Sequence, residues 1–357
     1  SMANVDMTVL FENFGMMGWK SGNRYTYAEG SPVTNLFMNL KYLIARDNIY
    51  MNTYDLTEIY GVGNVKLLQN NHYLPMGFMT NSALASWQVD ENEDQFNPFD
   101  KQNEFFKLAT GIKNDVYTPL DVVSQGHTDY NQFPVNKTGY GRYSFSCTDT
   151  TVTPHVKWNY EAPKDGLYLM YADISGGDDV TVMINDVAQS KTYGMGRSYI
   201  ACIGQCKKGD KISVYSNLQQ GQSGSAMVFV GYNKLSKSVM TTTKLTGSSM
   251  EGTINAQENG LFYTSVPYEE GWKAYVDGKE VTITPVGNAL VAFNLAKGEH
   301  TIKLEYYPKG FAIGLTVTII CAATFAFLCV WTYIIKKRRK KKGDISENPE
   351  EVQINAE

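Results

Sequence analysis

Between Phe311 and Ile335 the chain runs for 25 residues without a charged side chain, and the next seven, Lys336 to Lys342, are all Lys or Arg. No other feature restricts the fold as much. At about 1.5 Å per residue, a helix of that length crosses the roughly 30 Å hydrocarbon layer of a bilayer. There a helix satisfies its own backbone, which an irregular segment cannot do. A buried core helix would be as apolar, but it would not run straight into seven consecutive cations. Trp331 and Tyr333 lie near that end, as interfacial aromatics do. The positive-inside rule then keeps the basic run in the cytoplasm and puts residues 1–309 outside. A nuclear-localisation reading of the same run conflicts with the apolar helix beside it.

The cations are concentrated in this one place. The chain carries 32 Lys and Arg against 36 Asp and Glu, a formal charge of −4. Residues 336–357 hold seven of the cations and five of the acids, which leaves the rest at 25 against 31, or −6. An outer region of that sign has no broad basic surface, which argues against a nucleic-acid partner and leaves the lipid bilayer. With 43% apolar and 13% aromatic residues the chain is not a disordered one, and its length suits two or three folded units.

The start, SMANVDMTVLFENF, has no basic lead, apolar stretch or small-residue cleavage site of a secretory signal. The expectation is a processed or truncated chain, or the C-terminal part of a longer membrane protein, with the number of spans before Ser1 left open. A lone C-terminal anchor inserted after synthesis would leave the outer region in the cytosol, against the basic run. Outside the apolar helix only Cys147, Cys202 and Cys206 remain, an odd count without regular spacing. That is no disulfide framework, and whether Cys202 and Cys206 pair stays open.

The outer sequence divides by pattern. Residues 1–125 mix helix and strand signals. Ser31-Pro32 precedes Val33, Leu36, Phe37 and Leu40 at helical spacing, followed by an extended run at Tyr42–Ala45. A second short helix is signalled by Asn97-Pro98 at its start and Gly111 just past its end. Residues 126–238 read as a jelly-roll-like β-sandwich, with alternating runs such as Leu167, Leu169, Tyr171 punctuated by turns about every ten residues. Residues 239–309 read as a second β domain. There Asp277-Gly278 joins two alternating runs as a type I′ hairpin turn, and Ile302, Leu304 and Tyr306 share a face. Residues 311–335 are the membrane helix, and 336–357 a basic, then acidic, tail. The fold class is α+β, mainly β: β-sandwich or jelly-roll-like outer domains and one C-terminal transmembrane helix. Only residues 307–310 separate the last strand from that helix, a short connection that holds the domain near the bilayer.

Catalytic signatures are missing from this pattern. His72, His127, His155 and His300 are scattered without metal-ligand spacing. No nucleophile elbow, phosphate-binding loop or dinucleotide fingerprint is present, and Gly61-Val62-Gly63 lacks the rest of the last. Asp178-Asp179 after two glycines reads as a tight turn, and Asp90–Asp94 as a solvated acidic loop without the EF-hand pattern. We therefore assign no catalytic residue, cofactor or metal. Exposed aromatics can stack on a sugar ring, and Trp87 and Trp158 are the candidates for glycan contact. Trp87, between Ser86 and Gln88, is expected to be the more exposed, though aromatics also fill β-sandwich cores.

Several segments resemble a known family. Pro32–Leu36 and Leu40–Ile44 resemble the TPVT and KYLI stretches of the bacterial YfhO membrane-protein family. Asn71–Phe78, with Leu74, Pro75 and Gly77, resembles its LPLGF motif, and Asn97–Asn103, with Pro98, Gln102 and Asn103, its NPFxxQN motif. The most specific match is Val266–Trp272, with Gly271 and Trp272, then Asp277-Gly278, His300 and Tyr306–Pro308, where Lys309 replaces the usual second proline. The resemblance implies the C-terminal part of a polytopic GT-C-like glycosyltransferase of the bacterial cell membrane. Such an enzyme would move a sugar from an undecaprenyl-phosphate carrier to a cell-envelope polymer such as lipoteichoic acid. Within it, this part would support acceptor binding or assembly, with lipid-linked sugar and polymer as partners of the complete protein. The alternative is a non-catalytic membrane-anchored protein that binds glycan or protein.

Overall fold

The computed structural model describes residues 4–46, 56–90, 97–123, 135–146, 151, 155–174, 179–194, 198–217, 223–230 and 240–346. Cys147, His127, Glu91–Asp94 and Asp178 lie outside them. The first helix, α1 (Val5–Asn13), falls where the sequence reading assigned no element. Met7 to Leu10 are buried in succession, so no amphipathic stripe marks it, and its local signal is the Asn4 cap. The helix α2 (Pro32–Phe37) follows Ser31, whose hydroxyl accepts from the Thr34 amide while the Thr34 hydroxyl accepts from the Ser31 amide. Asn97 caps α3 (Pro98–Thr110), and Gly111 ends it in the left-handed region at φ 72°.

Strands carry the rest. His155–Glu161, Lys211–Asn217, Asp179–Ile184 and Val187–Gly194 form a four-stranded antiparallel sheet. It faces a larger sheet in which Gly166–Ile174 lies between Ile200–Cys206 and Ser223–Val230, with Tyr143–Ser146 beyond. Trp158, Tyr160, Val180, Val182 and Val214 meet Tyr168, Met170, Ala172 and Val228 between them, which makes a β-sandwich. A second pair of sheets encloses Met250, Ile254, Phe262, Phe293, Ile302 and Leu304. One is five-stranded (Thr241–Leu245, Ser249–Ala256, Gly298–Tyr306, Trp272–Val276, Lys279–Val281). The other is three-stranded (Leu290–Leu295, Gly260–Pro267, Gly77–Thr80).

The N-terminal residues join these two sandwiches. Leu10, Phe14, Val33, Phe37, Phe99, Phe105 and Phe106 pack between Leu167, Leu169, Tyr171 and Phe229 on one side and Leu261, Tyr263, Leu290 and Ala292 on the other. Helices thus form the middle of five layers. This explains why Gly166–Ile174 is buried at almost every position and not at alternate ones: both faces of its sheet are covered. A further three-stranded sheet, Tyr42–Arg46, Val65–Asn70 and Leu56–Val62, forms a side sheet.

The helix α4 (Phe311–Ser346) belongs to a separate compact unit, residues 306–357. Ile313–Arg339 is long and apolar enough to cross a membrane, with mean hydropathy 2.4 and no residue buried by protein. The hydroxyls of Thr318 and Thr324 donate to carbonyls four residues back, so neither is unsatisfied in lipid. The helix does not stop at Ile335 but continues through the basic run, as Lys and Arg, both good helix formers, allow.

Candidate functional site

Among the described residues, two open grooves in the Ser1–Glu305 unit hold chemistry-bearing side chains. The larger, about 630 Å³, is lined by Thr241, Thr253, Asn255, Asp277, Glu299 and His300. Its central pair is already engaged. Asp277 and Gly278 have φ 51° and 77°, as the type I′ turn requires. One Asp277 oxygen accepts from the Thr301 amide at 2.8 Å and the other contacts His300 Nδ1 at 2.8 Å. His300 Nε2 meets the Ala296 carbonyl at 3.1 Å. The hydrogen bond from His300, then that from Thr301, holds the Asp277 carboxyl below its usual range. These groups clasp the hairpin to the last strand.

The smaller groove, about 390 Å³, is built by α3 and the two loops beside it. Phe99, Phe105 and Phe106 turn one side of α3 into the core, while Asp100, Glu104 and Lys107 line the groove at i, i+4 and i+7. Past the Gly111 cap the chain returns with Asp115, which takes Lys107 Nζ at 2.5 Å. The far wall is Tyr140, a residue 46% exposed whose ring packs edge-on against Phe229. Asn97 ties the walls together: its Oδ1 accepts from the Phe99 amide while its Nδ2 donates to the Tyr140 carbonyl at 2.9 Å. Gly141 makes this approach possible. It sits at φ 67°, and a Cβ there would lie 2.6 Å from Pro119 and 2.9 Å from the Phe229 ring.

Partial burial, then the charge of Asp115, raises the Asp100 carboxyl to about 6, against the pull of Lys107. Burial and the same two acids also raise the Tyr140 phenol. A perturbed acid in a cleft is a mark of a functional site. Chemically, the groove offers carboxyl acceptors, one ammonium and a half-exposed aromatic face.

A profile of the family described as "Bacterial membrane protein YfhO" matches residues 1–318. The chain belongs to the YfhO family. An uncharacterized YfhO protein of Bacillus subtilis (strain 168) is 35% identical over 80 residues, which span 22% of this chain and only 8% of that protein. Among solved structures, the arabinofuranosyltransferase AftD from Mycobacteria is 16% identical over 43% of this chain and 14% of its own, with a TM-score of 0.20. A Paenibacillus sp. cycloisomaltooligosaccharide glucanotransferase is 8% identical over 48% and 44%, with a TM-score of 0.19. Superpositions that poor bear on neither fold nor function.

In this YfhO chain most motif residues hold the fold. Gln102 is buried, accepting from the Ser31 hydroxyl and donating to the Phe14 carbonyl at 2.7 Å. Asn103 exchanges two 2.9 Å bonds with the Tyr117 backbone. Pro98 fills the first turn of α3, Leu74 is buried, and Pro75 leads into Gly77, where any Cβ would collide with Phe262. Gly271 and Trp272 are half-buried at the start of the hairpin, where Trp272 packs against the second core.

Trp87 and Trp158 are not glycan contacts in this structure: both are 0% exposed. Trp87 packs among Phe14 and Phe105, with centroids 5.3 and 5.2 Å away, because the polar Ser86 and Gln88 turn outward and it turns in. Trp158 sits in the sandwich core, its Nε1 donating to the Tyr143 carbonyl at 3.0 Å. The exposed ring in the smaller groove is Tyr140. Its flanking glycines, Gly139 and Gly141, and the Asp100, Glu104, Lys107 spacing were the signals available. Cys202 and Cys206 are buried and are not joined in a disulfide, and burial pushes the Cys206 thiol up to about 11.

Proposed function

We propose that this chain is the outer part of a GT-C-like membrane glycosyltransferase that moves a sugar from an undecaprenyl-phosphate carrier to a cell-envelope polymer such as lipoteichoic acid. Its own role is to hold the acceptor. Family membership and the spanning helix support the membrane setting. The observation that carries acceptor binding is the exposed Tyr140 ring beside the Asp100, Glu104 and Asp115 carboxyls. A sugar presents an apolar C–H face to such a ring and hydroxyls to such acceptors. Three acids against Lys107 repel phosphate, so the groove would take the uncharged, hydroxyl-bearing units of the polymer. No residue of this chain is assigned a part in the transfer chemistry. The same groove also favours a second reading, a non-catalytic membrane-anchored glycan-binding protein, because its groups suit holding a ligand.

The test is saturation-transfer NMR on the full chain in nanodiscs, with neutral disaccharides, glycerol and glycerol-phosphate oligomers as probes. Tyr140→Ala should weaken contact with the uncharged units about tenfold, as expected for loss of one aromatic platform. Equal signals from wild type and Tyr140→Ala would end this reading. Turnover of a lipid-linked sugar by the complete protein, reduced by the same substitution, separates the enzyme from the plain binding protein.

A further inference from the structure

The side sheet has two unlike faces. Register places Ile44 opposite Leu67 and Leu67 opposite Tyr60, while Arg46 opposes Val65 and Val65 opposes Val62. Opposed residues of antiparallel strands project to the same side. Tyr42, Ile44, Leu67, Tyr60, Val65 and Val62 therefore share one mainly apolar face, with the uncharged Gln69 and Thr57 beside Tyr42 at its margin. The other face carries Ala45, Leu68 and Asn70, all buried. The apolar face is the open one: Ile44 is 69%, Tyr60 65% and Val62 63% exposed. The open face of an antiparallel sheet is ordinarily polar.

The charges around this face have one sign. Arg46 shares it by register. Lys41 lies over both the Tyr42 and Tyr73 rings, 5.0 Å from each centroid, as a cation–π pair. Among the described residues no carboxylate shares the face: Glu58 opposes Leu68 on the other side and pairs with Lys66 at 3.0 Å. This is notable in a region whose net charge is −6. Tyrosines and branched aliphatics edged by cations match a membrane interface, where aromatic rings sit at headgroup depth and cations meet anionic lipid. The chain also carries a membrane-spanning helix, so a bilayer is always present at high effective concentration.

We propose that the Tyr42–Ile44–Tyr60–Val62 face docks into the anionic interface of the outer leaflet. This contact is independent of any glycan site. The test places p-benzoylphenylalanine at Ile44, at Tyr60 or, as an exposed control, at Lys208 of the full chain. The protein is reconstituted in nanodiscs of phosphatidylglycerol or of phosphatidylcholine, irradiated and read by mass spectrometry. Positions 44 and 60 should yield lipid adducts about tenfold above position 208, and the yield should drop severalfold in phosphatidylcholine. Adducts to a second copy or to another segment of the chain would overturn the proposal. So would lipid yields at 44 and 60 no higher than at 208, or yields indifferent to lipid charge.

Discussion

Asp100 is kept in a setting that disfavours its charge. Its carboxyl rises from the usual 3.8 to about 6, so above about pH 6 the folded state holds an anion that the unfolded chain solvates better. The penalty is absent below about pH 4, grows between the two values and is complete above them. Asp100→Asn should therefore stabilise the chain at pH 7.5 and leave it unchanged near pH 4. Solvent screens this half-exposed group, so the gain should be about 1 kcal/mol, read from denaturation midpoints across pH. Gln102 is the opposite case, since its two ends close a contact between Ser31, on the α2 cap, and Phe14, at the end of α1. Gln102→Ala should cost about 2–4 kcal/mol, because it strands a buried hydroxyl and a buried carbonyl, and calorimetry would measure it. From sequence alone the two residues look alike, as polar positions two apart in one motif. Only burial separates the groove-facing residue from the structural one.

At the scale of elements, the caps were legible. Ser31-Pro32, Asn97-Pro98 with Gly111, and Asp277-Gly278 act within four residues of themselves, so their neighbours in the chain suffice to identify them. The helix α1 and the double-sided burial of the strand Gly166–Ile174 were not, because both depend on layers supplied from far away in the sequence. The Tyr140 loop depends on a similar distant match, with Gly141 pressed against Pro119 and Phe229. Gly141→Ala should destabilise by about 1–3 kcal/mol through the positive φ and the collision. It should also weaken sugar contact as much as Tyr140→Ala. Full sugar contact in a folded Gly141→Ala chain would show that the loop does not set the site.

At the scale of the whole molecule, one unit is built of five layers and the other carries the apolar helix. The basic run after Ile335 predicts the orientation. In whole cells, a reporter joined after Glu357 should be active in the cytoplasm, and one replacing the chain after Gly310 should be active outside. The reverse pattern would refute the topology.

The sequence by itself determined the spanning helix, the helix caps, the hairpin turn, the β-rich body and the family. Each of these rests on contiguous residues, on a pattern along one stretch or on composition. The tertiary structure decided which side chains face solvent. It buried Trp87 and Trp158, set His300 and Gln102 to clasping the fold, brought Asp100 to Tyr140 and left the Ile44 face open. The physical reason is distance along the chain. A buried contact such as the Cys202 amide on the Glu29 carboxylate joins residues 173 positions apart, and no local pattern encodes which layer will cover which face.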